Sequence, residues 1–298
     1  MIIIDVKNLD KSINKHSILS NINFQVSAGE IHALIGSNGA GKTTTLRCVL
    51  GLLKASKGLC RVYGEQPYYF SYQTRKRLGV ILDETCLIDE ISALDNILFY
   101  GSLFNIKKEV IKKKFSYYSD IFALEESKHK KVGTYTKGMK QKLAIIRELI
   151  HDPELIILDE PFNGLDPVSR VSIRNFLQDL NEKGVTILIS SHDLTELEKI
   201  AQKVTMIKKG SVAYSGDISN IQANAAYVVI LKDSKDYRDS FKGIEGLNII
   251  SYENDVVIFA CDENMMGDPL KELIIHNINV KELYRKKENL EDFFVNNN

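Results

Sequence analysis

Apolar and polar positions divide the first 220 residues into short strands separated by helical patterns. Residues 22–26, INFQV, alternate apolar and polar side chains as a half-buried strand does. A strand at 30–35 leads into a glycine-rich turn and then an apolar-periodic helix. Residues 155–158 and 185–189 are continuous apolar runs bounded by charged or turn residues, which is typical of strands buried in a parallel sheet. The pattern predicts an α/β fold.

The segment 93–124 has apolar residues at helical spacing throughout, and Leu94, Ile97 and Leu98 show it at the start. We expect an inserted helical subdomain at about 93–150. The same segment contains a cluster of lysines at 107, 108, 112, 113 and 114. This cluster has two interpretations, a solvated helix face or a contact with anionic lipid headgroups.

After about residue 220 the pattern becomes that of a small α+β unit. Strands are predicted at 226–231, 247–251, 255–261 and 280–284, and helices at 237–241 and 270–276. The two middle strands form a hairpin around Glu253 and Asn254. The order β-α-β-β-α-β is that of the ferredoxin-like arrangement. We therefore expect two domains, 1–220 and 221–298.

Composition excludes several classes of protein. The chain has 298 residues, with 39 acidic and 39 basic side chains and a pI near 7.0, so its charge does not favour nucleic-acid binding. Its four cysteines form no C-x-x-C pair, which fits reduced thiols in the cytoplasm better than disulfides or a zinc site. No apolar run approaches the ~20 residues that cross a bilayer, and the N-terminus lacks a signal-peptide pattern. We expect a soluble protein unless a partner tethers it.

A glycine-rich segment between the strand at 30–35 and the following helix fits the pattern G-x-x-x-x-G-K-[ST]. Its residues are Gly36, Ser37, Asn38, Gly39, Ala40, Gly41, Lys42 and Thr43. In such a P-loop, backbone amides surround phosphates, Lys42 reaches the β and γ oxygens, and the Thr43 hydroxyl binds Mg²⁺. Thr44 adds a second hydroxyl nearby. A purely structural glycine turn would not require the order Gly-Lys-Thr.

A second candidate site begins where the apolar run 155–158 ends in two carboxylates, Asp159 and Glu160. Nucleotide hydrolysis requires one acid near the magnesium ion and another beside the attacking water, and Asp159 and Glu160 suit these two roles. The turn NGLD follows at 163–166, and the strand 185–189 leads to Ser190, Ser191, His192 and Asp193.

Residues 1–215 resemble the nucleotide-binding subunits of ATP-binding cassette (ABC) transporters. The elements of that family occur here in order: the P-loop at 36–43, a signature at 135–139, the strand with its two acids, NGLD at 163–166, and His192. The segments YTKGMKQKL and LDEPFNGLDP, and residues 289–294, are most similar to the sequences of exporter subunits for bacterial drugs, bacitracin and lantibiotics.

The resemblance implies a P-loop NTPase cassette with a mixed sheet, and ATP and Mg²⁺ as cofactors. Glu160 would polarise the attacking water, and His192 would contact the γ-phosphate. In the signature, Thr136 and Gly138 would approach phosphate. Asp166 of NGLD would also contact the nucleotide. The remaining histidines are interpreted as structural.

Four residues, at three places in the chain, depart from the family pattern. Ile13 stands where an aromatic residue usually stacks on adenine, so base recognition should be weaker. Asp83 stands in place of a glutamine; it either holds a metal-bound water or is an acid at a strand end without a role. In the signature, Thr136 and Lys137 replace a serine and a glycine, although Thr136 keeps the hydroxyl.

These features predict an ATPase subunit that dimerises around ATP and drives a separate integral membrane permease from the cytoplasmic face of the membrane. The signature of one copy would bind the γ-phosphate held in the P-loop of the second copy. Alternatives are an importer ATPase, a cassette ATPase acting on ribosomes or DNA, and a nucleotide-binding regulator with little turnover. The single P-loop and lack of a long heptad run disfavour the second, and Glu160 and His192 disfavour the third.

Overall fold

The computed structural model describes residues 1–82, 85–223, 226–233, 235–244, 246–261, 269–286 and 289–296. The chain divides into two compact units, Met1–Asp217 and Ile218–Asn296. That residues 221–298 form a separate domain stays a prediction. No helix in the described ranges is long and apolar enough to cross a membrane.

The first unit alternates strands and helices along most of its length. Its strands are β1 (Ile2–Ile13), β2 (His16–Ser27), β3 (Ile31–Ile35), β4 (Lys57–Val62), β5 (Leu78–Ile81), β6 (Leu155–Asp159), β7 (Thr186–Ser191), β8 (Lys203–Lys208) and β9 (Ser211–Asp217). Its helices are α1 (Lys42–Val49), α2 (Tyr72–Lys76), α3 (Ala93–Leu103), α4 (Lys108–Ile121), α5 (Lys137–Leu149), α6 (Pro167–Glu182) and α7 (Leu194–Glu198).

The main sheet of this unit is mixed and has the strand order β5-β6-β7-β3-β8-β9. Neighbouring strands from β5 to β8 are parallel, and only the β8–β9 pair of this sheet is antiparallel. Every residue of β3, β6 and β7 is buried, which explains their continuous apolar runs. The predicted α/β fold with a mixed sheet is confirmed.

Strand register places the carboxyl ends of three central strands side by side. Ile35 of β3 lies opposite Ser191 of β7, and Asp159 of β6 lies opposite Ser190. Loops that leave these strands therefore start at the same edge, where open parallel sheets bind ligands. This edge carries the segments after residues 35, 159 and 191.

A smaller antiparallel sheet, β2-β1-β4, covers part of the first unit. The predicted strand 22–26 is the second half of the longer β2, because β2 pairs with β1 from Ser27 back to His16. A hydrophobic cluster joins β1 and β2 to α1 and the main sheet, through residues that include Ile4, Leu34, Leu46 and Leu188. This core fixes α1 beneath the sheet edge.

The helical insertion consists of α3, α4 and α5. Ser92 caps α3 by accepting a hydrogen bond from the Asp95 amide. A Cβ on Gly101 would lie 2.5 Å from the Cδ1 atom of Ile111, so glycine lets α3 and α4 approach closely. Of the lysine cluster, Lys114 donates to the Ile150 carbonyl at 2.8 Å, and the other four side chains are exposed.

The second unit has an antiparallel sheet of order β11-β12-β10-β13. Its elements are α8 (Ile218–Ala223), β10 (Ala226–Leu231), α9 (Arg238–Lys242), β11 (Leu247–Glu253), β12 (Val256–Cys261), α10 (Pro269–Ile275), β13 (Val280–Lys286) and α11 (Leu290–Asn296). Val229, Phe241, Phe259 and Leu273 lie in its core. The sequence from β10 to β13 has the predicted ferredoxin-like order, and Asn254 takes the hairpin turn with φ +52°.

Candidate functional site

The glycine-rich segment 36–41 connects β3 to α1 and needs glycine at two positions for different reasons. A Cβ on Gly36 would lie 2.4 Å from the carbonyl oxygen of Ile207, so only glycine fits there. Gly41 has φ +113°, a conformation that L side chains rarely adopt. The loop thus leads its amides to the N-terminus of α1, the geometry that surrounds a phosphate.

Lys42, the first residue of α1, is almost fully buried, with 6% of its surface exposed. Its Nζ atom donates to the Gly36 carbonyl at 2.8 Å and lies 3.2 Å from the Oε1 atom of Glu160. A buried ammonium is stable only when paired in this way. The P-loop lysine therefore faces the second candidate site.

The two acids after β6 occupy different environments. Asp159 is buried, and its Oδ1 atom accepts a hydrogen bond from the Ser190 hydroxyl. Glu160 has φ +49°, and its amide donates to the Ser190 carbonyl at 2.9 Å. A non-glycine residue at positive φ is strained, and the neighbouring strand β7 holds it in place. The strained turn directs the Glu160 side chain away from the strand.

His192 and Glu160 are directly linked. The Nδ1 atom of His192 lies 2.7 Å from the Oε2 atom of Glu160, and the His192 amide donates to the same oxygen at 3.2 Å. The imidazole is about half exposed, at 49%. The Glu160 carboxylate therefore connects Lys42 on one oxygen with His192 on the other.

These groups surround one cleft of about 420 Å³. Its lining residues are Ile18, Ser37, Asn38, Gly39, Gly41, Lys42, Thr43, Thr44, Glu160, Asn163 and His192. The structure thus brings together most of the P-loop, Glu160 and His192, which are far apart in sequence. Gly36, Ala40 and Asp159 are buried and are not among the lining residues. These three residues are adjacent in sequence to lining residues and lie beneath the surface of the cleft.

Two lining residues were missed by sequence reasoning. Ile18 of β2 lies in the cleft, whereas Ile13, the predicted base contact, is 41% exposed at the end of β1 and is not among the lining residues. Asn163 also lies in the cleft and belongs to the turn NGLD at 163–166, in which the sequence predicts a nucleotide contact for Asp166 alone. Asn163 follows Glu160 by three residues, and this short spacing is the sequence signal that could have identified it. In the structure its amide donates to the Glu160 carbonyl at 3.0 Å. The contact of Ile13 with the base stays a prediction.

The signature residues lie at the junction of α5 and α6. Thr136 caps α5, accepting from the Met139 amide at 3.2 Å. A Cβ on Gly138 would lie 2.5 Å from the Oγ atom of Ser169. Asp166 caps α6, and hydrogen bonds from the Ser169 side chain and amide hold the pKa of Asp166 below its usual range. Thr136, Gly138 and Asp166 are absent from the residues that line the cleft.

One oxygen donor suited to magnesium lines the cleft, and a second lies at the end of β6, one residue before Glu160. Mg²⁺ prefers hard oxygen ligands, and the Thr43 hydroxyl and the Asp159 carboxylate at the end of β6 are of that kind. Asp83, the third predicted metal contact, lies outside the described residues. The donor chemistry of Thr43 and Asp159 fits the ion.

Comparison with known proteins agrees with this geometry. The family model described as ABC transporter matches residues 19–163, and an AAA domain model described as a putative AbiEii toxin of a type IV toxin–antitoxin system matches residues 132–198. The chain is 34% identical over 255 residues to an ABC transporter ATP-binding protein, MJ1023, of Methanocaldococcus jannaschii, covering 86% of this chain and 93% of the relative.

It is also 31% identical over 297 residues to the bacitracin transport ATP-binding protein BcrA of Bacillus licheniformis, covering 98% of this chain and 96% of that one. A solved structure of an ATP-binding subunit of an ABC transporter matches with a TM-score of 0.68 at 27% identity. The match covers 74% of this chain and 92% of that chain.

The mixed sheet, the P-loop and the cleft define a P-loop nucleotide-binding cassette. The chain belongs to the family of ABC transporter ATP-binding proteins, and it is an ATPase of that family. The resemblance inferred from the ordered motifs is thereby confirmed.

Proposed function

We propose that the protein hydrolyses MgATP in a dimer of two copies and so powers a separate membrane permease that exports a drug, a peptide antibiotic or a similar amphipathic compound. The observation that carries the hydrolytic part is the position of Glu160 between Lys42 and His192 in the cleft. In this proposal Glu160 is the base, Lys42 is the cation that binds phosphate, and His192 is the polar contact to the γ-phosphate. The three residues follow β6, β3 and β7, whose carboxyl ends lie side by side.

Each of these residues has a distinct role in the proposal. When ATP binds, Lys42 exchanges its ion pair with Glu160 for the β and γ oxygens of the nucleotide, so that Glu160 is released to orient the attacking water and accept its proton. His192 then hydrogen-bonds the γ-phosphate. Thr43 and Asp159 would hold Mg²⁺, which would neutralise charge on the phosphates.

The pairing of two copies is supported by the location of the signature. Thr136 and Gly138 are not among the residues that line the cleft of their own chain. Thr136, the N-cap of α5, and Lys137, the first residue of α5, are exposed. Two-fold pairing allows each copy to present its signature to the cleft of the other, so that ATP joins the two surfaces.

The transport assignment is supported by similarity along 98% of the chain to a relative named for bacitracin transport. We place the protein at the cytoplasmic face of the membrane through its permease, which contacts the helical insertion. The balanced charge gives no support to a nucleic-acid partner. Import is the rival direction, because the permease decides direction.

Sedimentation of a hydrolysis-blocked variant tests the dimer. Glu160→Gln with MgATP should form a dimer, and adding Lys137→Glu should return it to a monomer because a carboxylate then faces the partner's phosphate. Lys142→Glu, on the same helix, serves as the matched control and should leave the dimer intact. A dimer that survives Lys137→Glu would remove the signature from the interface.

Transport is tested separately by expressing the protein together with a candidate permease, for which a membrane protein encoded in the adjacent reading frame would be the first choice. Cells with the wild-type pair should tolerate more bacitracin-like peptide than cells with a Glu160→Gln pair. Equal sensitivity of the two strains, with the permease present, would exclude export of that class of compound.

A further inference from the structure

One arginine of α6 contacts both turns that flank the proposed catalytic base. The Nε atom of Arg170 donates to the Leu165 carbonyl at 3.1 Å, and Leu165 belongs to the NGLD turn at 163–166. The Nη1 atom of Arg170 lies 3.0 Å from the Oδ2 atom of Asp193, the residue after His192. A planar guanidinium suits this role because its donors have fixed relative directions.

Both contacted groups are themselves anchored. Leu165 is 5% exposed, and its amide donates to the Phe162 carbonyl at 3.3 Å. Asp193 caps α7 through its Oδ1 atom, which accepts from the Glu196 amide, and its own amide donates to the Ser191 hydroxyl. Arg170 therefore joins two turns that are each held by hydrogen bonds of their own.

The two turns meet in the cleft. Asn163 of the first turn and His192 of the second both line it, and His192 contacts Glu160 through its ring and its amide. The position of the His192 amide depends on the backbone of 191–193, which Arg170 restrains through Asp193.

We propose that Arg170 is a positioning residue for ATP hydrolysis: it fixes the separation of the NGLD turn and the His192 turn, and so keeps His192 on Glu160. This inference rests on the proposed roles of Glu160 and His192. The Arg170–Asp193 pair is partly exposed, at 37% and 21% of the side chains, so it adds little to stability, and its effect is one of geometry.

The chain supplies a matched control one turn further along α6. Arg174 forms an ion pair with Glu196 of α7, with an Nη1–Oε2 distance of 2.8 Å. Its other described hydrogen bonds go to Asn175 rather than to the NGLD turn or to Asp193. Arg174→Gln therefore removes an α6–α7 ion pair without releasing either turn.

The experiment measures kcat, KM for MgATP, equilibrium ATP binding and melting temperature for the full-length chain. Arg170→Gln should lower kcat by about tenfold or more, with KM and ATP affinity within about twofold, since a small displacement at a catalytic group is costly. Arg174→Gln should leave kcat within about twofold.

Asp193→Asn probes the other end of the contact. Asparagine keeps the cap on α7 but loses the charge, so this variant should reproduce the loss in kcat. The double variant Arg170→Gln with Asp193→Asn should be no slower than the slower single variant, because both changes remove one interaction. Arg170→Lys, which keeps the charge without the fork, should recover part of the rate.

Wild-type kcat in Arg170→Gln, an equal loss in Arg174→Gln, or additive losses in the double variant would each overturn the inference. If Arg170→Gln does not fold, Arg170→Lys and Asp193→Asn decide by the same split between kcat and KM. Failure of the proposed function is distinguishable, since Glu160→Gln would then hydrolyse ATP like the wild type, whatever the Arg170 variants do.

Discussion

The ammonium of Lys42 lies 3.2 Å from the carboxylate of Glu160, so the P-loop lysine and the proposed base form an ion pair inside the cleft. In the proposed mechanism each of them has a different task in hydrolysis, and neither can perform it while they are paired. Binding of nucleotide therefore has to separate two charges that stabilise each other, which makes both residues informative targets for substitution.

Lys42→Ala should lower ATP affinity by roughly 10-fold to 150-fold, the equivalent of the roughly 1.5–3 kcal/mol that a hydrogen bond to a charged group contributes. The loss is largest for ATP and smaller for AMP, which has no β or γ oxygens. Titration calorimetry with both nucleotides measures the difference, and Lys112→Ala on the exposed face of α4 is the control. Unchanged ATP binding in Lys42→Ala would refute the assignment of the P-loop.

Glu160→Gln should leave ATP binding within about threefold of the wild type while lowering kcat by about 100-fold or more, because an amide cannot accept the proton of the attacking water. Single-turnover hydrolysis of radiolabelled ATP isolates the chemical step. Glu154→Gln is a suitable comparison, since Glu154 pairs with Arg77 on an exposed surface beside β6. If Glu160→Gln retains the wild-type rate, another residue is the base.

Gly138→Ala should destabilise the first unit by ~1–3 kcal/mol, because its Cβ would overlap the Ser169 hydroxyl at 2.5 Å. Ser169→Ala removes that oxygen, so the double variant should recover part of the loss. Urea denaturation of the two single variants and the double variant measures the coupling. Strictly additive effects would show that the two residues do not meet. Because a larger side chain at 138 would disturb the packing against Ser169, the exposed Lys137 is the better position at which to probe the dimer.

Truncation after residue 217 should give a soluble fragment that binds ATP, since every residue that lines the cleft lies before that point. The fragment should melt in a single transition and bind ATP within about threefold of the full chain. Light scattering and calorimetry test both properties. An aggregated fragment would mean that the second unit completes the core of the first.

The stability of the protein should fall as the pH drops below about 6.5, in part because of His151. Burial lowers the pKa of His151 below its ordinary value. Its ring stacks on Phe104 with centroids 4.1 Å apart, its Nε2–H donates to the Leu78 carbonyl, and its buried Nδ1 atom has no hydrogen-bond partner among the described residues. A proton at Nδ1 would therefore remain unsolvated.

The sign follows from linkage: a histidine with a lowered folded-state pKa stabilises the fold above its unfolded pKa, and this contribution is lost as the pH falls through the folded pKa. His151→Gln keeps a donor for Leu78 and should make the urea midpoint less dependent on pH between 5 and 8. His129→Gln, at an exposed site, should keep the wild-type profile. A His151→Gln profile as steep as the wild type would assign the pH dependence to other groups.

Local sequence determined the identity of the P-loop, the acids after β6 and His192, because each depends on a short pattern of residue types at a strand end. The pattern of apolar residues also predicted the buried parallel strands and the order of the second unit. A continuous apolar run indicates a strand covered on both faces, and an alternating pattern indicates a strand covered on one face. The element bounds differ from the predictions mainly where pairing extends a strand, as in β2.

Tertiary structure alone decided which side chains meet. Ile18 of β2 lines the cleft, whereas Ile13 at the end of β1 is exposed and is not among the lining residues. The requirement for glycine at 138 comes from Ser169, and the contact of Arg170 with Asp193 spans 23 residues. Such contacts depend on how helices pack across a sheet edge, which no local pattern of the chain encodes.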